Sequence, residues 1–484
     1  MKSTTLRMIG LATAFVMLPV CAGPVQANDL RIDNVRFINR PGATGELRVV
    51  FDLTWHNAWH NARSHDAAWV FLKLVYGGQG LRHVKLMPDG YRVLDIPGVE
   101  APSAQVDMAS DSTGFFIYPA QPYRGDVQWR LSVQLDPALY NPRRDGQAQL
   151  QVFGIEMVYV PEGPFTLGDP DTTALNFGAF YLSGPNGAPD GLVQITSEAA
   201  FPVGPEPGAL DYRSSQPQYQ GDRQGPVPAA FPKGFQAFYV MKYEITQGQY
   251  TAFLNTLSDD DTSERFSFGG RTYFKKRGTI RLEEDRYVAG SPQRPLNFLS
   301  WDDGLAFADW AALRPMTELE FTKACRGPEP PTPGVFPWGT ASFESLARVV
   351  GPDDELGMEN GWDESRLTDE TRPVFGASYY WVMDLAGSVW ERVVTLGQPA
   401  GRAFTGSHGD GQLGSRGRAT NDDWPHDYAG AEGHGYRGGG FYDQERAVRD
   451  FNPYSPIAYR RFGAWAGAYP YRSYGFRCAR TAGS

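Results

Sequence analysis

The stretch that says most about the fold is RPMTELEF, residues 314–321. Thr317 stands three positions before Glu320, so the threonine hydroxyl and the glutamate carboxylate are placed to satisfy unpaired amides at the start of a helix. The same pattern begins at Thr246 and at Ser300, and each time apolar residues follow at helical intervals. The sequence therefore predicts three capped helices from residue 246 onward.

The rest of the chain is rich in turns and strands. Its 484 residues include 55 glycines and 37 prolines, which excludes a helical bundle or a coiled coil. Apolar and polar residues alternate at 47–55 and 127–135, as in strands with one buried face, and a further apolar run lies at 67–75. The predicted fold class is α+β: an all-β sandwich accessory domain at residues 28–151, then a loop-rich domain at 152–484.

The first 27 residues have the order of a signal peptide. Lys2 and Arg7 precede an apolar run, and Val-Gln-Ala ends at Ala27, where we expect cleavage. The mature protein should then be periplasmic or secreted, and Cys21 lacks the small preceding residues of a lipid anchor. No later segment has the roughly 18 consecutive apolar residues of a membrane span. The net charge of −10 argues against a nucleic-acid partner.

Two small groups of residues leave alternatives open. Cys325 and Cys478 remain after cleavage, and they form either one disulfide or two separate buried thiols. His56, His60 and His65 lie close together in sequence, which would allow a zinc pair if the segment were helical. Because this segment follows an alternating strand, we expect polar loop histidines instead.

Eight short signatures follow one another along the second region. They are EMVYVPEGPFTLG at 156–168, FYVMKYEITQGQY at 238–250, NFLSWDD at 297–303, RPMTELEF at 314–321, PWG at 337–339, MDLAGSVWE at 383–391, RGGG at 437–440 and GFRC at 475–478. In this order they resemble the formylglycine-generating enzyme family, also called the sulfatase-modifying factor family. The resemblance covers about residues 153–480 and implies a C-type-lectin-like fold.

The resemblance also bears on metals. The family's oxidases bind copper through two cysteines a little beyond the Arg-Gly-Gly motif, but residues 440–453 contain no cysteine, so no copper is expected here. A structural calcium ion is implied at the 383–391 turn. Its ligands would be the side chains of Asp384 and Glu391 and the carbonyls of Gly387 and Val389, and the alternative is a carboxylate pair in a structural turn.

Aromatic and arginine side chains are concentrated between Phe451 and Tyr474, in a segment with neither strand nor helix periodicity. Rigid rings on ordered loops are typical of binding surfaces, although rings also fill the core of a fold short of helices. We expect the ligand-binding residues to be Tyr454, Tyr459, Arg461, Trp465, Tyr469, Tyr471 and Tyr474.

These features favour an exported ligand-binding or accessory module. Its partner would be an exported protein, a peptide or a glycan. The alternative is a protein-modifying oxidoreductase of the same family with a non-standard active site, and the sequence indicates no catalytic residue for it.

Overall fold

The structure is a computed structural model of the 484-residue chain. It describes residues 30–39, 46–76, 79–140, 148–266, 277–346, 348–350, 356–358, 364–426, 432–441, 454–467 and 469–483. Within these ranges the chain is a strand-rich mixture of strands and helices, which confirms the α+β class. Among the described residues, no helix is long and apolar enough to cross a membrane.

The elements are numbered in chain order. The strands are β1 Arg31–Asn39, β2 Arg48–His60, β3 Asp66–Val75, β4 Leu81–His83, β5 Leu86–Leu94, β6 Ala104–Met108, β7 Phe115–Pro119, β8 Tyr123–Leu135, β9 Gln149–Val160, β10 Phe165–Leu167, β11 Phe177–Leu182, β12 Val193–Ile195, β13 Leu210–Ser214, β14 Phe238–Met241, β15 Ile280–Glu283, β16 Arg286–Ala289, β17 Arg314–Pro315, β18 Arg348–Val350, β19 Leu356–Met358, β20 Trp390–Val394, β21 His434–Arg437, β22 Tyr474–Phe476 and β23 Cys478–Thr481. The helices are α1 Gln247–Leu254, α2 Asp259–Arg265, α3 Trp301–Trp310, α4 Glu318–Arg326, α5 Arg372–Phe375 and α6 Pro399–Arg402.

The three predicted capping boxes are confirmed at the starts of α1, α3 and α4. Thr246, Ser300 and Thr317 each accept a hydrogen bond from the backbone amide three residues on, at 3.2, 3.0 and 3.1 Å. In return, the side chain at that third position accepts from the cap's own amide at 3.0 Å in every case. Each of these helices therefore begins directly after the capping residue that the sequence predicts.

An eight-stranded sheet runs through the molecule in the order β17-β23-β14-β9-β3-β7-β6, with β4 beside β3. Strand β3 is buried on both faces. Trp69 and Phe71 pack into the core that also holds α1 and α3, whereas Val70 and Leu72 pack into the core beneath β1, β2 and β8. A continuous apolar run is what a strand covered on both sides requires.

The expected boundary between residues 151 and 152 falls inside β9. This strand pairs with β3 from Asp66 opposite Val158 to Val75 opposite Gln149, and with β14 on its other side. The regions 28–151 and 152–484 are therefore joined by backbone hydrogen bonds in one sheet. A second sheet, β1-β2-β8-β5, shares an apolar core with the β3 side of the large sheet.

The described residues of the last third of the chain lie mainly in loops around a small sheet. Strand β20 lies between β21, antiparallel to it, and β22, parallel to it. Arg392 of β20 is opposite Tyr436 of β21 and Phe476 of β22. The rings of Phe462, Trp465 and Tyr471 pack against Trp390, Tyr436 and Tyr474 of this sheet.

Candidate functional site

The expected ligand-binding residues divide between several packing environments. Tyr469 is 53% exposed, whereas Tyr454 and Tyr474 are 9% and 7% exposed and are core residues. Tyr459, Arg461, Trp465 and Tyr471 are half-buried, and Phe451 lies outside the described residues. The segment thus combines buried and accessible rings.

Two of these tyrosines pack away from the others. Tyr454 meets Trp338 edge to face, with ring centroids 5.8 Å apart, within a small cluster of its own. Tyr459 stacks on Phe177 of β11 at 4.3 Å, and burial raises the pKa of its hydroxyl. Their contacts are those of residues that hold the loop to the body of the protein.

Five partly exposed rings are here called the aromatic surface: Tyr219, Phe462, Trp465, Tyr469 and Tyr471. Trp465 contacts the first, second and fourth of them directly, and Tyr471 is connected to it through the buried Tyr474. Trp465 lies at the centre of the aromatic surface, 5.7 Å from Tyr219, 5.4 Å from Phe462 and 6.2 Å from Tyr469 between ring centroids. The Trp465 and Tyr469 rings are nearly perpendicular, at 84°. All five are at least partly accessible, so they present amphipathic rings at a solvent boundary.

A layer of buried rings supports the aromatic surface from the small sheet. Tyr436 of β21 and Tyr474 of β22 lie 4.7 Å apart, and both contact Trp465, at 5.4 and 6.1 Å. Tyr471 is 5.2 Å from Tyr474. The aromatic surface is therefore supported by residues of β21 and β22 and not by loop residues alone.

Arg392 connects the sheet to the loop. Its side chain is buried, and the guanidinium lies over the rings of Tyr436 and Tyr474, at 5.2 and 5.3 Å from their centroids. Its Nη2 donates to the backbone carbonyl of Tyr469 at 2.6 Å. Burial lowers the pKa of Arg392 from its usual value. This bond fixes the backbone of the most exposed ring.

The expected calcium turn contains a buried ion pair. The Arg477 guanidinium donates to both oxygens of Glu391, with Nε at 3.0 and 3.1 Å and Nη2 at 2.7 Å, and neither side chain is exposed. Burial raises the pKa of Glu391, and Arg477 opposes that rise. Both oxygens already accept from a cation, so Glu391 is a poor fit for the calcium role, and the fit at Asp384, Gly387 and Val389 stays a prediction.

The histidine group is not arranged around a common point. His56 pairs with Asp126 at 2.8 Å, and His60 Nδ1 contacts the carbonyl of Pro119 at 2.6 Å. His65 stacks on Tyr118, and burial lowers its pKa to about 3. His56 and His60 lie in β2 and not in the expected loop, because pairing with β8 continues to His60. In the described ranges no three His, Cys, Asp or Glu residues are grouped as a metal would need.

The two cysteines are separate buried thiols. Cys478 packs in the core with Met241, whereas Cys325 packs with Ala479 in the core on the other side of β23. Adjacent residues of a strand face opposite ways, so the sheet lies between the two sulfur atoms. Burial raises the pKa of both thiols, which leaves them unreactive.

Sequence reasoning missed three parts of the site. Tyr219 and Gln216 belong to the turn at Pro217–Tyr219, more than 200 residues before Trp465, and no local pattern relates them to it. Arg392 directly follows the signature at 383–391, and its spacing indicates no role for it. Phe462 lies within the segment 451–474, but its contact with Trp465 does not follow from its spacing.

Comparisons with known proteins support the resemblance to formylglycine-generating enzymes. The chain is 22% identical to formylglycine-generating enzyme from Bos taurus over 214 residues, 38% of this chain and 54% of that protein. It is equally identical to the Mus musculus enzyme over 216 residues, 38% and 55% of the two chains. The chain thus spans about half the length of the curated relatives it matches.

One solved structure and one family model complete the comparison. The crystal structure of the group B streptococcus pilus 2b backbone protein aligns at 13% identity over 43% of this chain and 83% of that one, with a TM-score of 0.13, too low to carry an argument. The model of the sulfatase-modifying factor enzyme 1-like domain matches residues 200–482, which confirms the resemblance. Because that match covers more than half of the chain, the protein belongs to the sulfatase-modifying factor enzyme 1-like family.

Proposed function

We propose that this protein is a ligand-binding or accessory module that recognises its partner through the aromatic surface. The observation that carries the proposal is Tyr469, which is 53% exposed while its backbone is fixed by the buried Arg392. An exposed ring on a fixed backbone loses little entropy on binding, which is the property of aromatic hot spots.

The chemistry of the chain supports a binding role over the activity named for its relatives. Residues 440–453 supply no thiolate, and the two buried cysteines lie on opposite sides of a sheet. Copper(I) needs soft ligands, so copper-dependent formylglycine formation has no ligand set here. The domain then serves as a scaffold, with the C-type-lectin-like arrangement that its family implies, for loops that bind.

Export is part of the same proposal. Residues 1–27 have the charge and hydropathy order of a signal peptide, and this supports a periplasmic or secreted site of action. N-terminal sequencing of protein recovered outside the cytoplasm should begin at Asn28. A lipid-modified Cys21, or an intact leader, would contradict it.

The binding role is tested by replacing one aromatic side chain at a time with alanine and measuring the binding of each variant to an array of glycans and synthetic peptides. Trp465→Ala and Tyr469→Ala should weaken retention of the ligands that the full mature chain binds, with a loss of about 2 kcal/mol, or thirtyfold, at one of them. Tyr91→Ala is the matched control, because Tyr91 is 36% exposed but lies on β5 at the edge of a different sheet.

The melting temperatures of the variants complete the test. We expect Tyr469→Ala to melt close to the unmodified protein, because an exposed ring contributes little to the core. If Trp465→Ala, Tyr469→Ala and Tyr91→Ala retain every array ligand equally, the aromatic surface does not bind the partner.

A further inference from the structure

We propose that the partner of the aromatic surface is a second copy of this chain, which presents its own proline-rich segment, residues 328–333, to the rings. This inference rests on the proposed binding function and names its partner. It depends on the conformation and exposure of the proline-rich segment, and on the angles between the rings of the aromatic surface.

The conformation of the proline-rich segment is restricted by its own sequence. Residues 328–333 are Pro-Glu-Pro-Pro-Thr-Pro, and they follow α4 after a single glycine. A proline ring fixes its own φ near about −65° and disfavours helical geometry in the residue before it. Every residue from Glu329 to Pro333 is a proline or stands directly before one, and the structure, which describes all of them, places residues 329–332 outside helices, strands and turns. The segment therefore favours an extended polyproline II helix and has little conformational entropy to lose when it binds.

The proline-rich segment turns a pair of prolines to water. Pro330 and Pro333 are exposed, whereas Pro331 between them is half-buried. A polyproline II helix has roughly three residues per turn and rises about 3.1 Å per residue, so Pro330 and Pro333 lie on one side of it, about 9 Å apart. These two exposed rings form an apolar ridge, here called the proline ridge.

Contacts at both ends hold the proline-rich segment against its own chain. The Glu329 carboxylate lies 3.8 Å from Nη2 of Arg372, and the amide of Gly334 donates to Oδ2 of Asp169 at 2.9 Å. These contacts keep the exposed side of the segment in one orientation. The proline ridge is therefore available to a second molecule without rearrangement of the chain that carries it.

The rings of the aromatic surface are inclined to one another. The plane of Trp465 makes an angle of 57° with that of Tyr219 and of 84° with that of Tyr469, at centroid distances of 5.7 and 6.2 Å. Rings at such angles form the walls of a groove, which is how aromatic residues receive proline-rich segments, whereas a sugar stacks on the flat face of one ring. Consecutive rings at these spacings match a ridge whose two prolines are about 9 Å apart.

The polar groups at the aromatic surface also suit a proline-rich partner. Arg461 donates its Nε to Gln216 at 3.2 Å, and the buried Arg392 donates to the carbonyl of Tyr469 at 2.6 Å, so both guanidinium groups already make contacts within the chain. A partner meets mainly rings and the hydroxyls of tyrosines. A polyproline II helix has no internal hydrogen bonds, so its carbonyls accept from such hydroxyls while its prolines pack on the rings.

The contact between copies follows from the separate positions of its two halves. The proline ridge and the aromatic surface are different patches of one chain, so each copy gives its ridge to one neighbour and receives the ridge of another. Such a heterologous contact repeats from copy to copy, and the assembly grows as the protein concentration rises.

Sedimentation velocity of the full mature chain tests the inference. We expect the mean sedimentation coefficient to rise with protein concentration, whereas Tyr469→Ala and the double variant Pro330→Ala/Pro333→Ala should each remain monomeric. Pro88→Ala/Pro97→Ala is the matched control and should associate like the unmodified protein, because both prolines are exposed but lie far from the proline-rich segment in sequence. Equal loss of association in the control would overturn the inference.

A mixture of the two defective variants gives the sharpest result. Tyr469→Ala keeps the proline ridge, and Pro330→Ala/Pro333→Ala keeps the aromatic surface. A heterologous contact therefore predicts that the mixture forms one-to-one pairs and nothing larger, although neither variant associates by itself. Failure of the mixture to pair would overturn the inference.

A synthetic peptide of residues 327–334, Gly-Pro-Glu-Pro-Pro-Thr-Pro-Gly, isolates the ridge from the rest of the chain. It should bind the unmodified protein and suppress self-association, and replacing Pro330 and Pro333 in the peptide by alanine should weaken its binding by about tenfold or more. Equal binding of the peptide to Tyr469→Ala and to the unmodified protein would overturn the inference.

The remaining outcomes separate this inference from the binding function beneath it. A chain that stays monomeric at every concentration, while array ligands still depend on Trp465 or Tyr469, would overturn the second copy and leave the binding function intact. Self-association that persists in both Tyr469→Ala and Pro330→Ala/Pro333→Ala would also overturn it. The binding function itself fails only if neither an array ligand nor a second copy depends on Trp465 or Tyr469.

Discussion

Replacing the buried Trp69 tests whether the whole chain folds as one unit. Trp69 is fully buried in β3, packs 4.8 Å from Phe116, and lies under the Arg480 guanidinium at 4.6 Å. Its Nε1 donates to the carbonyl of Ala311, just after α3, at 2.8 Å. An N-terminal strand is thus joined by one side chain to the helix and the last strand of the second region.

Removing the ring should destabilise both regions together. Trp69→Ala removes a large buried side chain, which should lower the free energy of unfolding by about 3–5 kcal/mol. It also leaves the Ala311 carbonyl without its donor, which should lower it by about 1–3 kcal/mol more. Trp69→Phe keeps most of the ring and should lose only about 1–3 kcal/mol, for the unpaired carbonyl. Against a typical stability of about 5–15 kcal/mol, the alanine variant is close to unfolding.

Calorimetry of the mature chain measures the effect, and the thiols of Cys325 and Cys478 report on the second region. We expect one cooperative transition that Trp69→Ala lowers, with both buried thiols becoming reactive in that same transition. Trp129→Ala is a control within the N-terminal sheets, since the Trp129 indole donates to Pro102 at 2.8 Å. Two separate transitions, with the thiols protected through the one that Trp69→Ala shifts, would refute the reasoning.

The other predictions concern the turn, its possible metal and the loop. Glu391→Gln should lower the free energy of unfolding in urea by about 3–5 kcal/mol, because it removes the carboxylate that pairs most closely with Arg477 and leaves only Glu244, 3.8 Å away, to balance that buried charge; a variant as stable as the unmodified protein would contradict this. Calcium should leave the melting temperature unchanged because Glu391 is held by Arg477; a rise that Asp384→Ala removes would instead show calcium in the turn. Incubation with copper and a sulfatase-type cysteine peptide should yield no formylglycine by mass spectrometry, and turnover would reveal thiol ligands that the sequence does not indicate. Tyr459→Ala should lower the melting temperature without selective loss of binding, since its ring stacks on Phe177, and the reverse result would return Tyr459 to the binding site.

Features set by neighbours in the chain were predictable from the sequence. The capping boxes at Thr246, Ser300 and Thr317 formed as expected because each joins groups only three residues apart. The strands β2 and β8 followed from alternation, since the side-chain period of a strand is a local property. The order of the eight signatures identified the family without any knowledge of contacts.

Only the tertiary structure decided which distant segments meet. Strand β9 carries apolar residues on both faces, and nothing in its own residues selects β3 as a neighbour across the expected boundary. Tyr219 joins Trp465, and Arg477 takes the carboxylate of Glu391, because folding brings together positions more than 80 residues apart. The exposure of the two tyrosines could not be predicted from the sequence for the same reason, since Tyr469 and Tyr474 are the same residue type in one loop-rich segment. Only the packing of β20, β21 and β22 buries Tyr474 and leaves Tyr469 in water.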